Sequence, residues 1–450
     1  MKILDTNKTI VAISTPIGVG GIAVVRISGD DAINIADKLF KSNGKMPSKF
    51  RNRELVFGDY VGKIAKDKCL CVVFKGPNSF TGENVVEFQC HGGVKLANEI
   101  VKDCLSFGAE LAENGEFSMR AFVNGKLSLA EAEGMIDLIN AQSESELNAS
   151  YNLMSGGLTK QINAFQDEIV DLISEVEVSF DYPEEDIEYK TKGEIKSQTA
   201  KLISQIDELI SSASMGSIVK NGINAVIIGK PNVGKSSLLN ALINKNKAIV
   251  TDIAGTTRDV IEDAFEVNGV KINILDTAGI RETDDIIERL GVIKTKELIN
   301  QADIVLFVVD STSPLDYKDM EILALLRDKK YLTIYNKVDL LDEAKLNSKY
   351  INVSTKTNKG IVKLKQSIYD AIIDKNIMSN SLLITNNRHL QLLKKARKNL
   401  ASALKNVDDN TLDLISIDLK ESYENLGEIT GTTTNEKILD SIFSKFCLGK

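Results

Sequence analysis

Apolar residues between positions 160 and 210 fall at spacings of three and four. Ile162, Phe165, Ile169, Leu172, Ile173 and Val176 form one stripe, and Leu202, Ile203, Ile206, Leu209 and Ile210 form a second. That period places each set on one face of a helix and predicts two long amphipathic helices. Pro183 and the acidic run Glu184-Glu185-Asp186 stand between them, where a turn and a helix start are expected. Helical texture begins near residue 127 and returns only at the far end, from about Leu390 to Phe446.

The two ends of that helical texture enclose a different pattern. Ala225–Gly229, Ile272–Asp276, Ile304–Asp310, Leu332–Asn336 and Ile351–Ser354 are short apolar runs, each separated by enough chain for a crossover helix. A mostly parallel sheet follows. Val267-Asn268-Gly269-Val270 sets Asn-Gly between two apolar runs, so one edge strand is expected to run antiparallel. Ahead of the helices, Thr9–Ile13, Ile22–Ile27, Cys69–Phe74 and Val85–Cys90 read as strands, with a Gly-rich turn at Gly18–Gly21 and a helix near Leu96–Leu105. This predicts a small α+β domain, then one helical domain built from two segments, with an α/β domain inserted between them.

Composition narrows the class without changing that layout. The 450 residues are 43% hydrophobic and 26% charged, as in ordinary globular proteins, and the length suits two to four domains. A net charge of −8 argues against a generally basic nucleic-acid binder, though not against a local patch such as Lys394-Lys395-Ala396-Arg397-Lys398. That cluster reads either as a contact for nucleic-acid phosphates or as a solvated helix face. The start does not read as a signal peptide, and no stretch has the apolar length of a membrane span. Cys69, Cys71, Cys90, Cys104 and Cys447 form no metal-ligand spacing with His91 and His389, which suggests reduced thiols in the cytoplasm. Cys69 and Cys71 share one side of a strand and are expected in the core.

The inserted segment carries the chemistry. Gly229-Lys230-Pro231-Asn232-Val233-Gly234-Lys235-Ser236 follows an apolar run and has the spacing of a phosphate loop. Glycines let backbone N–H groups approach phosphate oxygens, Lys235 supplies charge to the terminal phosphates, and Ser236 suits Mg²⁺. Asp276-Thr277-Ala278-Gly279 adds a carboxylate for a water-held Mg²⁺ and an amide that a γ-phosphate can order. Asn336-Lys337-Val338-Asp339 selects guanine, because the Asp339 carboxylate accepts from two guanine N–H groups and would go unpaired against adenine. An unpaired buried polar group costs about 1–3 kcal/mol, enough to discriminate bases. Ser354-Thr355-Lys356 follows the last strand, where an amide can meet the guanine oxygen.

Hydrolysis needs a further element. The residue after Gly279 is Ile280, which has no donor or acceptor to orient water. Arg258 or Arg281 acting as an internal arginine finger is one solution. A monovalent cation held by Asn232 and by carbonyls of Thr251–Thr257 is the other, and the favoured one; Asn232 also suits a plain turn role.

Thr251-Asp252-Ile253-Ala254-Gly255-Thr256-Thr257-Arg258-Asp259, after GKPNVGKSSLLN, resembles the TrmE/Era-type GTPases. STPIGVGGIAVVRISG, GPNSFTGENVVEFQCHGG, GEFSMRAFVNGKLSLAEAE, FDYPEEDIE and the terminal FCLGK extend the resemblance over nearly the whole chain, to the MnmE (TrmE) family of tRNA-modification GTPases. One departure is Asn114, where the family usually has Pro before Gly-Glu-Phe; both residues suit a turn.

The resemblance implies four segments: an N-terminal folate-binding and dimerisation domain over 1–120, helical parts over 121–218 and 377–450, and a Ras-like G domain over 219–376. It implies a homodimer that joins the FAD-carrying flavoprotein MnmG in a heterotetramer or larger complex. Together they modify C5 of the wobble uridine of certain tRNAs, using a 5,10-methylene- or 5-formyltetrahydrofolate-like folate. GTP contacts carry over to Asn232–Ser237, Val233, Gly234 and Lys235 included, to Thr251–Thr257 with Asp252, Ala254 and Gly255, and to the motif residues above. Mg²⁺ falls to Ser236 and Thr257, K⁺ to Asn232, Thr251, Ile253 and Thr256, and water orientation to Glu288. Folate falls to Arg26, Glu87, Lys126 and Lys450; read alone, Arg26 is a strand-end surface charge. Cys447, three residues before the end, reads either as a nucleophile or as a tail thiol packed on the helical domain. The competing function is a GTP-regulated RNA-assembly factor without one-carbon chemistry, which Arg26, Lys126 and the Cys-Leu-Gly-Lys end disfavour.

Overall fold

A computed structural model describes residues 8–181, 192–243, 263–275, 288–342, 350–373, 382–408 and 412–450. The chain divides into two compact units: Met1–Ile139 with Tyr151–Ile203 and Leu392–Lys450, and Asn140–Ser150 with Ser204–Gln391. Helices and two sheets together give the mixed α+β and α/β class expected from the pattern.

The first unit opens with β1 (Ile10–Ile13), β2 (Ile22–Ser28), α1 (Ala32–Leu39), β3 (Phe40–Lys41), β4 (Leu55–Val61), β5 (Lys66–Phe74), β6 (Val85–His91), α2 (Val94–Ser106) and β7 (Glu110–Leu111). Their sheet has seven strands in the order β3-β4-β5-β6-β2-β1-β7, where the apolar runs predict four. β4 escapes the pattern because Leu55, Phe57 and Val61 face outward while Gly58 holds an inward position. A Cβ at Gly58 would strike the Lys41 carbonyl and the Phe40 ring, so a strand signal is lost for a packing reason. Val25, Ile27, Cys71, Val73 and Phe88 on the opposite face pack with Ile35 and Ile100 of α1 and α2.

The helical part follows as α3 (Glu116–Val123), α4 (Leu129–Asn140), α5 (Glu144–Met154), α6 (Gly157–Asp181) and α7 (Lys192–Asn221). The predicted stripe of α6 is real: Ile162, Phe165, Ile169, Leu172 and Val176 are buried. Each such side chain contributes about 1.5–3 kcal/mol on leaving water, which holds the helix in place. The Pro183 turn and its acidic run lie outside the described residues.

The second unit's sheet comprises β8 (Ile223–Ile228), β9 (Asp263–Val267), β10 (Val270–Ile274), β11 (Ile304–Asp310), β12 (Tyr331–Asn336) and β13 (Ile351–Asn352). Its order is β13-β12-β11-β8-β10-β9, and every pairing is parallel except the β9–β10 hairpin at Asn268-Gly269. Around it run α8 (Lys235–Ile243), α9 (Glu288–Gln301), α10 (Tyr317–Leu325) and α11 (Ile361–Ile372). Every residue of β11 from Ile304 to Val309 is buried, as a central parallel strand requires. The chain ends with α12 (Asn387–Asp408), α13 (Leu412–Thr430) and α14 (Glu436–Phe443).

Candidate functional site

The phosphate loop begins where β8 leaves the sheet. A Cβ at Gly229 would collide with the Val308 carbonyl, so this turn can lie against β11 only as glycine. Asn232 is left-handed (φ 62°) and exposed, and its side-chain amide takes no hydrogen bond among the described residues. Lys235 opens α8, whose Leu238, Leu239 and Leu242 are buried beneath the loop. The Lys235 ammonium donates to the carbonyls of Gly229 (3.0 Å) and Lys230 (2.8 Å), spanning the loop. Ser236 and Ser237 follow, exposed in the first helical turn.

A clamp on the loop was not anticipated from the motif. The Lys230 ammonium contacts Asp316 Oδ2 at 2.8 Å and Asp319 Oδ2 at 2.7 Å. These two acids also form the capping box of α10. Hydrogen bonds to Asp316 and Asp319 hold Lys230 above the usual amine range. The Asp-x-x-Asp spacing before an apolar run is a readable cap, but its partner lies 86 residues away.

The Asn336–Asp339 segment closes over the same loop. Asn336 is buried at the end of β12; its amide donates to the Val233 carbonyl (2.8 Å) and its oxygen accepts from the Thr355 N–H (3.3 Å). A Cβ on Gly234 (φ 96°) would run into that amide, so this position is glycine because Asn336 reaches across it. Lys337 pairs with Asp310 at 2.7 Å, and Asp310 also accepts from the Thr312 N–H and hydroxyl. Burial raises the Asp310 carboxyl, but those hydrogen bonds outweigh it and leave it below the usual range. Val338 is buried, so Asp339 projects outward, and its Oδ1 accepts from the Ser354 hydroxyl at 2.6 Å. The second oxygen of Asp339 takes no hydrogen bond among the described residues. Thr355 and Lys356 lie on the turn closed by the Ser354–Lys359 bridge.

Thr251–Thr257 and Asp276–Gly279 lie outside the described residues, as do Arg258, Ile280 and Arg281. Glu288 is the first residue of α9.

A second constellation lies in the first unit. Arg26 on β2 stands opposite Glu87 on β6, and its Nε donates to Glu87 Oε1 at 2.8 Å. The chain's end joins them: the Gly449 carbonyl accepts from Arg26 Nη1 (3.2 Å) and from the Ser14 hydroxyl (3.0 Å). Gly449 is left-handed (φ 87°), and a Cβ there would strike the Ile13 carbonyl. Burial and then the Arg26 charge push the Lys450 amine down, with Cys447 acting the other way. The Arg26–Glu87 pair thus meets the Gly449 carbonyl, with the Lys450 amine close enough to feel the Arg26 charge. Among the described residues Lys126 is not joined to them by any hydrogen bond or ion pair; its stem lies beside Gly82. Cys447 is exposed, unlike the packed tail thiol considered from sequence; its neighbour Phe446 is the residue buried, against Phe443, Met119 and Leu129. The other four cysteines are buried, and burial pushes the Cys69 and Cys104 thiols up to about 12.

Parallel sheet, phosphate-loop motif and the Asn336-Lys337-Val338-Asp339 motif together have the layout of a GTP-binding G domain. The MnmE helical-domain model matches residues 129–447, and the model for the N-terminus of the GTP-binding protein TrmE matches residues 9–126. The tRNA modification GTPase MnmE of Clostridioides difficile is 42% identical over 99% of this chain and 99% of its own. That of Desulforamulus reducens is 42% identical over 99% of this chain and 100% of its own. Among solved structures, the FeoB G domain of Methanococcus jannaschii is 28% identical, covering 34% of this chain and 98% of its own at a TM-score of 0.25. The chain belongs to the MnmE family of tRNA modification GTPases. No helix of the described residues is long and apolar enough to cross a membrane.

Proposed function

We propose that this chain is a K⁺-stimulated GTPase acting in the cytoplasm with the flavoprotein MnmG, the carrier of FAD. The pair adds an aminomethyl or carboxymethylaminomethyl group to C5 of the wobble uridine, position 34, of certain tRNAs. The observation that carries this reading is the 42% identity to a named tRNA modification GTPase over nearly the whole chain. The guanine-selecting loop around Asn336 and Asp339 supports the nucleotide half of it.

In this reading Lys235 neutralises the β- and γ-phosphates while the loop N–H groups and the start of α8 cradle them. Asn336 holds Val233 and the Thr355 turn in register, and Asp339 accepts the two guanine N–H groups. Glu288 orients the attacking water. Ser236 and Thr257 are the Mg²⁺ ligands; Asn232, with an exposed amide free of hydrogen bonds among the described residues, joins Thr251, Ile253 and Thr256 around K⁺. When bound, these ions add positive charge beside the phosphates, and 5,10-methylene- or 5-formyltetrahydrofolate supplies the one-carbon unit.

The tail constellation fits a folate in charge. Arg26 and Lys450 suit its acidic glutamate tail, with Lys126 reaching in from the Gly82 side. Glu87 Oε2, which takes no hydrogen bond among the described residues, suits pterin donors. Residues 1–120 bind folate and form the homodimer, and residues 219–376 turn over GTP between the helical segments 121–218 and 377–450.

Purified chain, MnmG, unmodified tRNA, folate, GTP and an amine donor test the reading. Modified uridine should form only when all are present, and formation without GTP or without this chain would refute it.

A further inference from the structure

The helix α12 divides cleanly by charge. Leu392, Leu393, Ala396, Leu400, Ala403 and Val407 are buried, whereas Lys394, Lys395, Lys398 and Lys405 are exposed on the other side. The helix has no glutamate, and its one aspartate is Asp408, the last residue.

Several lysines on other helices of this chain have acidic partners. Lys95 and Lys102 bracket Glu99, Lys201 faces Glu168 and Lys420 pairs with Glu177. None of the four α12 lysines makes an ion pair or side-chain hydrogen bond among the described residues. Lys394 and Lys398 are also four apart, where like charges oppose a helix. Four exposed lysines on one helix face, without an acidic partner among the described residues, suit an external polyanion in a chain of net charge −8.

From Lys394 to Lys405 the face extends roughly 16 Å along the axis, at 1.5 Å per residue. A nucleic-acid strand offers a phosphate charge about every 3.4 Å, so a face of this length can meet several phosphates in a row. Resting on the reading that this chain acts on tRNA, we propose that the Lys394, Lys395, Lys398 and Lys405 face of α12 docks tRNA phosphates. A rigid helix positions the RNA through its backbone, which leaves base recognition to other parts of the complex.

The test uses the full chain and an unmodified tRNA transcript, with binding followed by anisotropy across a salt series. The triple variant Lys394→Ala, Lys395→Ala, Lys398→Ala should bind at least about tenfold more weakly at low salt. Its slope of log affinity against log salt should flatten by about 2–3, as expected for three lost phosphate contacts. GTP hydrolysis and Tm should be unchanged. The control triple, Lys296→Ala, Lys318→Ala and Lys363→Ala, removes equal charge from exposed lysines elsewhere and should bind like the parent.

Equal loss in both triples, or an unchanged affinity and slope in the first, overturns the proposal. Unchanged tRNA binding with lost uridine modification in cells overturns it too, and assigns the face to an acidic protein partner. A parent chain that binds no tRNA also overturns it, while nucleoside analysis separately decides whether the modifying function stands.

Discussion

Asn336 joins two loops with one buried amide, so its removal should loosen the nucleotide site more than its size suggests. Asn336→Ala strips the Val233 carbonyl of a 2.8 Å donor and the Thr355 N–H of its acceptor. Leaving such groups unpaired costs about 1–3 kcal/mol, which at about 1.4 kcal/mol per tenfold is roughly 5- to 150-fold in affinity. Asn336→Asp separates the contacts: it keeps an acceptor for Thr355 but sets an oxygen against the Val233 carbonyl. The aspartate variant should therefore bind worse than the alanine one. Equilibrium titration with a fluorescent GDP, alongside Tm for each variant, measures both. Alanine binding within twofold of the parent, or aspartate binding tighter than alanine, would refute the reasoning.

GTP hydrolysis should be much faster in KCl than in NaCl at equal ionic strength; equal rates would remove the cation and return attention to Arg258 and Arg281. Asp339→Asn should weaken GTP and favour xanthosine triphosphate in competition binding, and an unchanged preference would contradict the guanine assignment. Brief alkylation of the native chain, read by mass spectrometry, should label Cys447 alone. Burial and raised thiol pKa values shield Cys69, Cys71, Cys90 and Cys104 until the chain unfolds, so native labelling at any of them contradicts the core packing.

How much of this was legible depended on how local the cause was. The parallel sheet and the Asn268-Gly269 hairpin follow from runs and turns a few residues long. The phosphate loop and guanine segment are likewise contiguous. Their mutual fit was less visible: Gly234 reads as a phosphate-approach glycine, yet the structure shows it also clearing space for the Asn336 amide. Strand β4 was hidden because its large apolar residues face outward around Gly58. The docking of Gly449 against Ser14 and Arg26 joins positions 435 and 423 residues apart, and no periodicity reports that. Resemblance pointed to Arg26, Glu87 and Lys450. The geometry adds the Gly449 carbonyl that ties Arg26 to the chain's end.

The central claim is that GTP turnover in the inserted domain serves chemistry on a tRNA base. Nucleoside analysis of tRNA from cells lacking this protein tests it most directly, with the parent gene and an Asp339→Asn copy restored in parallel. The account predicts loss of the C5 substituent at the wobble uridine, recovery with the parent chain and poor recovery with the variant. A normal wobble uridine in the deleted cells would contradict it.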